Sequence, residues 1–191
     1  MEKSVIDDPV QKRLLRYASW WRLAGMLFEC PADGWHEALA GLVSLAEDTG
    51  LQQAVKKAEA EASPALYYSV FGPGGPASPR EAAFHNNLNL GGLLAELSGY
   101  YSAFAYTPET QEPDDHVSVE AGFIGYLRLK QSYALACGDA GRAEIAADAA
   151  GKFMKEHLSP FVESLAAILG RSDIGYLSLA ASALSAGHKS H

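Results

Sequence analysis

The sequence predicts an all-α fold, a single helical domain of about eight to ten helices. Apolar residues recur at steps of three and four along most of the chain, which is the spacing of one helix face. Alternation of polar and apolar residues is nowhere sustained over five positions, so strand signals are nearly absent. The length of 191 residues suits one core, or two small lobes that share a core.

The first half of the chain contains five predicted helices. Pro31 ends the first helix, Gly50 ends the second, and Ser63 followed by Pro64 opens the fourth as a cap and a first helical residue. The stretch GPGGPASP at 72–79 holds three glycines and three prolines and is predicted to be an irregular loop. The five segments are 10–29, 35–49, 51–62, 64–71 and 88–104.

The second half contains four more predicted helices. Gly138 ends the first of them, Asp139 caps the second, and Ser159 with Pro160 is expected to open the third. The four segments are 115–136, 139–158, 159–169 and 172–184, and the tail AGHKSH is expected to fray.

A possible division into lobes follows from the irregular stretch at 106–113. It contains two prolines and no apolar periodicity, so we expect it to lack a packing role and to act as a hinge. The hinge would join an N-terminal lobe (about 1–105) to a C-terminal lobe (114–187) within one domain, 1–191. Such a hinge allows exchange of lobes between copies, so we expect a monomer or a hinge-mediated dimer.

Charge and cysteine content limit the possible partners. A formal charge of -8 disfavours nucleic acid and favours a partner that carries positive charge. The two cysteines have no zinc or disulfide spacing, and no cofactor is predicted. The start MEKSVIDDP does not resemble a secretory signal, and no apolar stretch of 18 residues is present, so we expect a cytoplasmic protein without membrane insertion.

The stretch EPDDHVSVE at 112–120 concentrates four carboxylates and a histidine. Pro113 disfavours helix at Glu112, so Asp114 or Asp115 is expected to cap the helix that follows. His116 then lies in the first turn, where it contributes little to capping, and Glu120 lies on the core-facing side. Helix capping alone explains the acids, but it does not explain the histidine.

A catalytic alternative uses the same stretch. Asp114, Asp115, His116 and Glu120 offer oxygen and nitrogen ligands for a metal, as a helical metal-dependent hydrolase would require. The remaining histidines do not complete a known ligand spacing, and no nucleophile motif is present. A helical scaffold subunit of a larger complex is a third possibility.

Three sequence elements, in this order, resemble the TorD/DmsD/NarJ family of molybdenum-enzyme maturation chaperones. The acid-Pro-x-Asp-His run that enters a helix, Glu112 to His116 here, looks like the central signature of that family. YYSVFG at 67–72 is similar to its Tyr-x-x-Leu-Phe element, and KEHLSPF at 155–161 to its His-Leu-x-x-Trp/Phe element. Phe161 replaces a tryptophan that many members carry, and Ser78-Pro79-Arg80 only loosely resembles the proline-serine segment of the family.

The resemblance implies a chaperone rather than an enzyme. Family members bind the twin-arginine signal peptide, or the N-terminal segment, of the catalytic subunit of a molybdopterin-dinucleotide oxidoreductase and delay its export until the cofactor is inserted. Such a peptide requires an apolar groove flanked by carboxylates. We expect Asp115 and His116 to form an exposed edge of that groove. The predicted peptide-binding residues are Glu112, Pro113, Asp114, Asp115, His116 and Glu120 at the polar end, with Tyr67, Phe71, Tyr100 and Phe104 in the apolar wall.

Overall fold

The computed structural model of the protein describes residues 8–85, 89–172 and 174–190. This part of the chain forms one all-helical domain, which confirms the predicted fold class. None of its helices is both long enough and apolar enough to cross a bilayer. The α-helices are α1 (Pro9–Met26), α2 (Trp35–Ala46), α3 (Thr49–Glu61), α4 (Pro64–Phe71), α5 (Leu90–Ala103), α6 (Val117–Ala136), α7 (Ala140–Phe153), α8 (Ser159–Leu169) and α9 (Gly175–Ser190).

Two of the predicted capping devices are present and one predicted stop is wrong. The Ser63 hydroxyl accepts a hydrogen bond from the Leu66 amide, and the Asp139 carboxylate accepts one from the Arg142 amide. Gly50 does not end α2, because it lies in the first turn of α3, where Asp48 caps the helix by accepting from the Leu51 amide at 2.8 Å. The capping carboxylate therefore decides where the third helix begins.

The serine-proline pair at 159–160 does not start a new helix as predicted. The chain stays helical from α7 into α8 through a π-helical turn, Met154–Leu158, and the Ser159 amide donates to the Met154 carbonyl. Proline has no amide hydrogen and its ring crowds the carbonyl four residues earlier, so one wider turn accommodates Pro160 without a break. The predicted start at Leu88 lies outside the described residues, and α5 begins at Leu90.

The core is built around α6, which is buried without interruption from Val117 to Gly125. Among the described elements, the contact between α1 and α6 is the most extensive, and α7 also packs on α6. Helix α3 likewise packs on α9. One continuous set of buried side chains therefore includes helices from both halves of the chain.

Two glycines allow the backbones of α1 and α6 to approach closely. A Cβ atom built on Gly125 would lie 2.9 Å from the Ala18 carbonyl oxygen, and one on Gly25 would lie 3.0 Å from the Ser118 carbonyl oxygen. These distances are too short for a side chain to fit unless a backbone moves. The helix pair that contains most of the core therefore depends on small residues at the crossing.

The 106–113 segment packs against the core, so the expectation that it lacks a packing role is wrong. The Tyr106 ring contacts Phe123 and Tyr126, and its hydroxyl donates to the Val119 carbonyl at 3.4 Å. Glu112, at the other end, accepts from the Cys30 amide. The division into two lobes and the hinge stay predictions.

We predict that Gly125→Ala lowers the free energy of unfolding by roughly 1–3 kcal/mol, because the added methyl group forces α1 and α6 apart. The matched control is Gly99→Ala in α5, where the new Cβ meets no atom within 4 Å. That change is expected to stabilise the protein by roughly 0.5–1 kcal/mol, since alanine loses less backbone entropy in a helix. Urea unfolding followed by circular dichroism measures both, and equal effects at the two sites would contradict the close-packing argument.

Candidate functional site

The central motif is clamped to the loop that precedes the short 3-10 helix Glu81–Phe84. Arg80 and His116 form an isolated antiparallel bridge, the only such bridge in the described chain. The Glu81 amide donates to the Asp115 carbonyl at 2.8 Å, and the Val117 amide donates to the Pro79 carbonyl at 2.8 Å. The proline-rich loop is therefore joined by its backbone to the start of α6.

The carboxylate of Asp115 reinforces this clamp from inside the protein. Asp115 is fully buried, and its Oδ1 accepts from both Nε and Nη2 of Arg80 at 2.8 Å. Its Oδ2 accepts from the Ala82 amide at 3.3 Å. A buried carboxylate needs such charge-assisted bonds to offset the loss of water. Asp115, which the sequence suggested as a cap for α6, thus tethers the motif to Arg80, 35 positions earlier in the chain.

His116 is the residue that caps α6, contrary to the expectation that it contributes little to capping. Its Nδ1 accepts from the Ser118 amide at 3.1 Å and lies 2.7 Å from the Ser118 hydroxyl. Burial, together with the positive charge of Arg80, lowers the pKa of His116 to about 3, so the imidazole is neutral at pH 7. Because Nδ1 accepts, the ring hydrogen is on Nε2.

A short polar chain leads from His116 towards the surface. The Tyr67 hydroxyl oxygen lies 3.4 Å from His116 Nε2, and this hydroxyl donates to Glu112 at 2.9 Å. Burial and the neighbouring Glu112 hold the pKa of Tyr67 well above its usual value, so the phenol keeps its hydrogen. The 3.7 Å separation between His116 Nε2 and Glu112 is not an ion pair, since the imidazole is neutral.

A second buried acid, Glu120, faces Glu81. Burial raises the pKa of Glu120 well above its usual 4.5, and the charge of Glu81 and a hydrogen bond to it raise it further, as does Asp115. As a carboxylate, Glu120 has no hydrogen-bond partner among the described residues, because Glu81 is also an acceptor; a protonated Glu120 can donate to Glu81. Glu81 lies between two imidazoles, with Oε2 3.2 Å from His157 Nδ1 and Oε1 3.0 Å from His85 Nε2.

The predicted polar residues therefore differ in exposure. Asp115, His116 and Glu120 are buried, so the expectation that Asp115 and His116 form an exposed groove edge is wrong. The physical reason is the loop at 79–82, which covers them and pairs with them. Glu112 and Asp114 are half-buried and Pro113 is exposed.

The four proposed metal ligands of the hydrolase alternative do not come together as a metal site. Asp115 is engaged by Arg80 and His116 caps a helix. Within the described ranges, the potential metal-ligand cluster lies elsewhere and contains none of the four. The structure therefore gives no support to the hydrolase.

The predicted aromatic wall separates into two groups. Phe71 contacts Tyr67 and Phe28 near the end of α1. Tyr100 and Phe104 instead contact Phe123 in α6. Tyr67 is buried and the other three are partly buried, so these side chains contribute to the core as well as to any binding surface.

Sequence reasoning missed several residues that build this network. No role was assigned to Arg80 or Glu81, because their contacts with Asp115 and His157 join residues distant in sequence. Ser118 lies within the acidic stretch, but its bond to the side chain of His116 was not foreseen. His157 lies in KEHLSPF at 155–161, which only the family resemblance singled out. Burial of two acids close together is a three-dimensional property that helical periodicity does not report.

Beside the clamp, a cavity of about 380 Å³ opens between α1, α6 and the 105–110 segment. Its walls are mainly apolar, and the exposed side chains Leu129 and Glu109 lie at the cavity. Arg22 also lines it and is paired with Glu29 at 2.7 Å. The other lining residues are Ala18, Ala105, Tyr106, Thr107, Thr110, Ser118, Gly122, Gly125 and Tyr126.

We predict that Asp115→Asn lowers the free energy of unfolding by roughly 1.5–3 kcal/mol, because the amide cannot replace a carboxylate that accepts from Arg80 and from a backbone amide. Asp114→Asn is the matched control, since its side chain takes no part in the clamp, and it is expected to change stability little. Chemical unfolding of both variants measures the difference. A stable Asp115→Asn variant would mean that the backbone bridge holds the loop without the carboxylate.

The buried acid and the buried histidine make stability depend on pH in opposite directions. The raised pKa of Glu120 stabilises the fold fully below pH 4.5, and this contribution is lost as pH rises. The lowered pKa of His116 stabilises the fold above its usual 6.5, and this contribution is lost as pH falls towards about 3. The two effects oppose each other between pH 4.5 and 6.5.

We predict that Glu120→Gln removes the loss of stability that Glu120 causes as pH rises above 4.5, because the amide is neutral and can donate to Glu81. The gain in unfolding free energy over the natural protein should grow with pH above 4.5, at up to about 1.4 kcal/mol per pH unit. Urea unfolding at a series of pH values gives this difference directly. A difference that is constant with pH would mean that Glu120 is ionised in the folded protein.

The family model described as "Nitrate reductase delta subunit" matches residues 29–167, which include the clamp, α2 to α7 and most of α8. Neither a curated protein nor a solved structure matches the chain significantly. The family match spans well over half of the chain, and it agrees with the resemblance in the motif at 112–116. The chain therefore belongs to the nitrate reductase delta subunit family, the NarJ- and TorD-type chaperones of molybdoenzyme maturation.

Proposed function

We propose that this chain is a system-specific cytoplasmic chaperone that binds the N-terminal segment, or the twin-arginine signal peptide, of a molybdopterin-dinucleotide oxidoreductase catalytic subunit. Binding would delay export while the cofactor is inserted. The observation that carries this proposal is the family match over residues 29–167. The formal charge of -8 also suits a client segment that contains paired arginines.

The cavity between α1 and α6 is the surface that we propose for the client. Its apolar walls suit the hydrophobic stretch of a signal peptide, and Leu129 extends the apolar surface outwards with 46% of its area exposed. Glu109 at the cavity, with Glu112 and Asp114 further along the same segment, supplies carboxylates for arginine. Apolar and acidic groups thus lie side by side, as the client requires.

The buried members of the motif have a different role in this proposal. Asp115, His116 and Glu120 are out of reach of a peptide in this conformation, so we assign them to positioning the segment that carries Glu112 and Asp114. The Tyr67 hydroxyl orients the Glu112 carboxylate by donating a hydrogen bond to it at 2.9 Å. Recognition would then come from the partly exposed residues, and its geometry from the buried ones.

The function is tested by affinity capture from the native cell. Calorimetry then measures binding of a synthetic peptide that copies the N-terminal segment of the captured subunit.

We predict that Glu109→Gln weakens peptide binding roughly two- to fivefold, as expected for an exposed ion pair of about 0.5–1 kcal/mol. Leu129→Gln should weaken it as well, because it removes apolar contact area. Replacing the client arginines with lysine should also weaken binding if a carboxylate accepts both guanidinium hydrogens.

Two matched controls separate the site from the function. Glu37→Gln and Leu45→Gln change an exposed acid and an exposed leucine on α2, away from the cavity, and are expected to leave binding unchanged. Peptide binding that is insensitive to the Glu109 and Leu129 variants would refute the location but not the function. Capture of no molybdoenzyme subunit would refute the function itself.

A further inference from the structure

Three potential metal ligands converge on the side of the domain where α5 faces the π-helical turn. They are Glu96 on α5, and Glu156 and His157 in the turn, and one ligand atom from each lies within 4.8 Å of the others. The carboxylate side chains are 57% and 41% exposed, so ions in solution can reach them. Exposed acids alone are common at protein surfaces and do not define a site.

His157 distinguishes this cluster from an ordinary acidic surface. Its side chain is only 3% exposed, yet its Nε2 has no hydrogen-bond partner within the part of the chain that the structure describes. The atom nearest to it in the cluster is a Glu96 oxygen, 4.0 Å away, too far for a hydrogen bond. A buried polar atom without a partner costs free energy unless something else binds it.

The other ring nitrogen is held as in a metal-binding histidine. His157 Nδ1 lies 3.2 Å from Oε2 of the buried Glu81, which accepts its hydrogen. That bond leaves the Nε2 lone pair free and fixes the plane of the ring, as a carboxylate behind a ligating histidine does. The ring is also packed against Phe153 and Tyr100, so its orientation towards the two glutamates is constrained.

We propose that Glu96, Glu156 and His157 bind a divalent transition-metal ion, with Zn²⁺ the best match. One imidazole and two carboxylates form a set that Zn²⁺ accepts with a position left open. Two ligands of a tetrahedral zinc ion lie about 3.3 Å apart, so the 4.0 Å separation closes with a small movement of the exposed Glu96 side chain. This site is distinct from the client-binding surface proposed above.

Two side chains contact the Glu156 carboxylate, and neither prevents an ion from binding to it. The Tyr100 hydroxyl donates to Glu156 at 2.9 Å and is compatible with a metal on the other oxygen. Lys152 Nζ lies 3.9 Å from Glu156, at the limit of an ion pair, and is 65% exposed. The lysine can therefore move away when the ion binds.

The test is calorimetric titration of the full chain with ZnCl₂ after treatment with a chelator, with MgCl₂ as the comparison ion. We expect one Zn²⁺ per chain and much weaker binding of Mg²⁺, which prefers oxygen ligands. Glu96→Gln and Glu156→Gln should each weaken Zn²⁺ binding by roughly tenfold or more, as loss of a charged ligand requires. Both positions are exposed, so these variants are expected to fold.

Two controls and one direct observation complete the test. Glu59→Gln, at an exposed acid on α3, and Cys137→Ser, which removes an exposed thiol, should both keep Zn²⁺ binding. The Nε2 resonance of His157, in spectra of histidine ring nitrogens, should shift when Zn²⁺ is added. No binding, or binding that persists in both glutamate variants without a shift of His157, would overturn the proposal and leave His157 as a packing residue bonded to Glu81.

Discussion

The tether between Asp115 and Arg80 is the interaction on which the rest of the site depends. It fixes the loop after residue 72 against the first turn of α6, and the backbone bridge between Arg80 and His116 continues the same attachment. Glu81 follows directly in sequence, so its position between His85 and His157 is a consequence of the same tether. Loss of the Asp115 carboxylate would therefore disturb both its own contact with Arg80 and the contacts of Glu81 with His85 and His157.

Several buried polar groups lie together where the loop meets α6, among them Glu81, Asp115, His116 and Glu120. Such groups contribute less to stability than apolar packing of the same volume, but they restrict the ways in which helices can pack, because a misplaced partner leaves a charge unpaired. In this protein they join the loop that carries Arg80 and Glu81 to Asp115 at the start of α6 and to His157 in the π-helical turn. The apolar core brings α1, α6 and α7 together, while the polar network determines how the loop lies on them.

The helices could be predicted because periodicity and caps are local properties. Ser63 and Asp139 act where the sequence indicated, since the residue before each helix is free to leave the helical conformation. Ser159 fails as a cap because it is already helical, with its amide bonded to the Met154 carbonyl across the π-helical turn. The acidic motif was recognised, but its burial was not, because its partner Arg80 comes from a loop whose path the sequence does not reveal.

The close crossing of α1 and α6 has a consequence for synthesis of the chain. Helix α1 ends at Met26, and its main packing partner begins only at Val117. Helix α2 follows directly and also packs on α1, but until the ribosome has released α6 the side of α1 that faces α6, which includes Trp21 next to Gly125, has no native partner. The α1–α6 core is therefore expected to form late in translation, when the two halves of the chain meet, and a member of a chaperone family would itself expose apolar surface during its own synthesis.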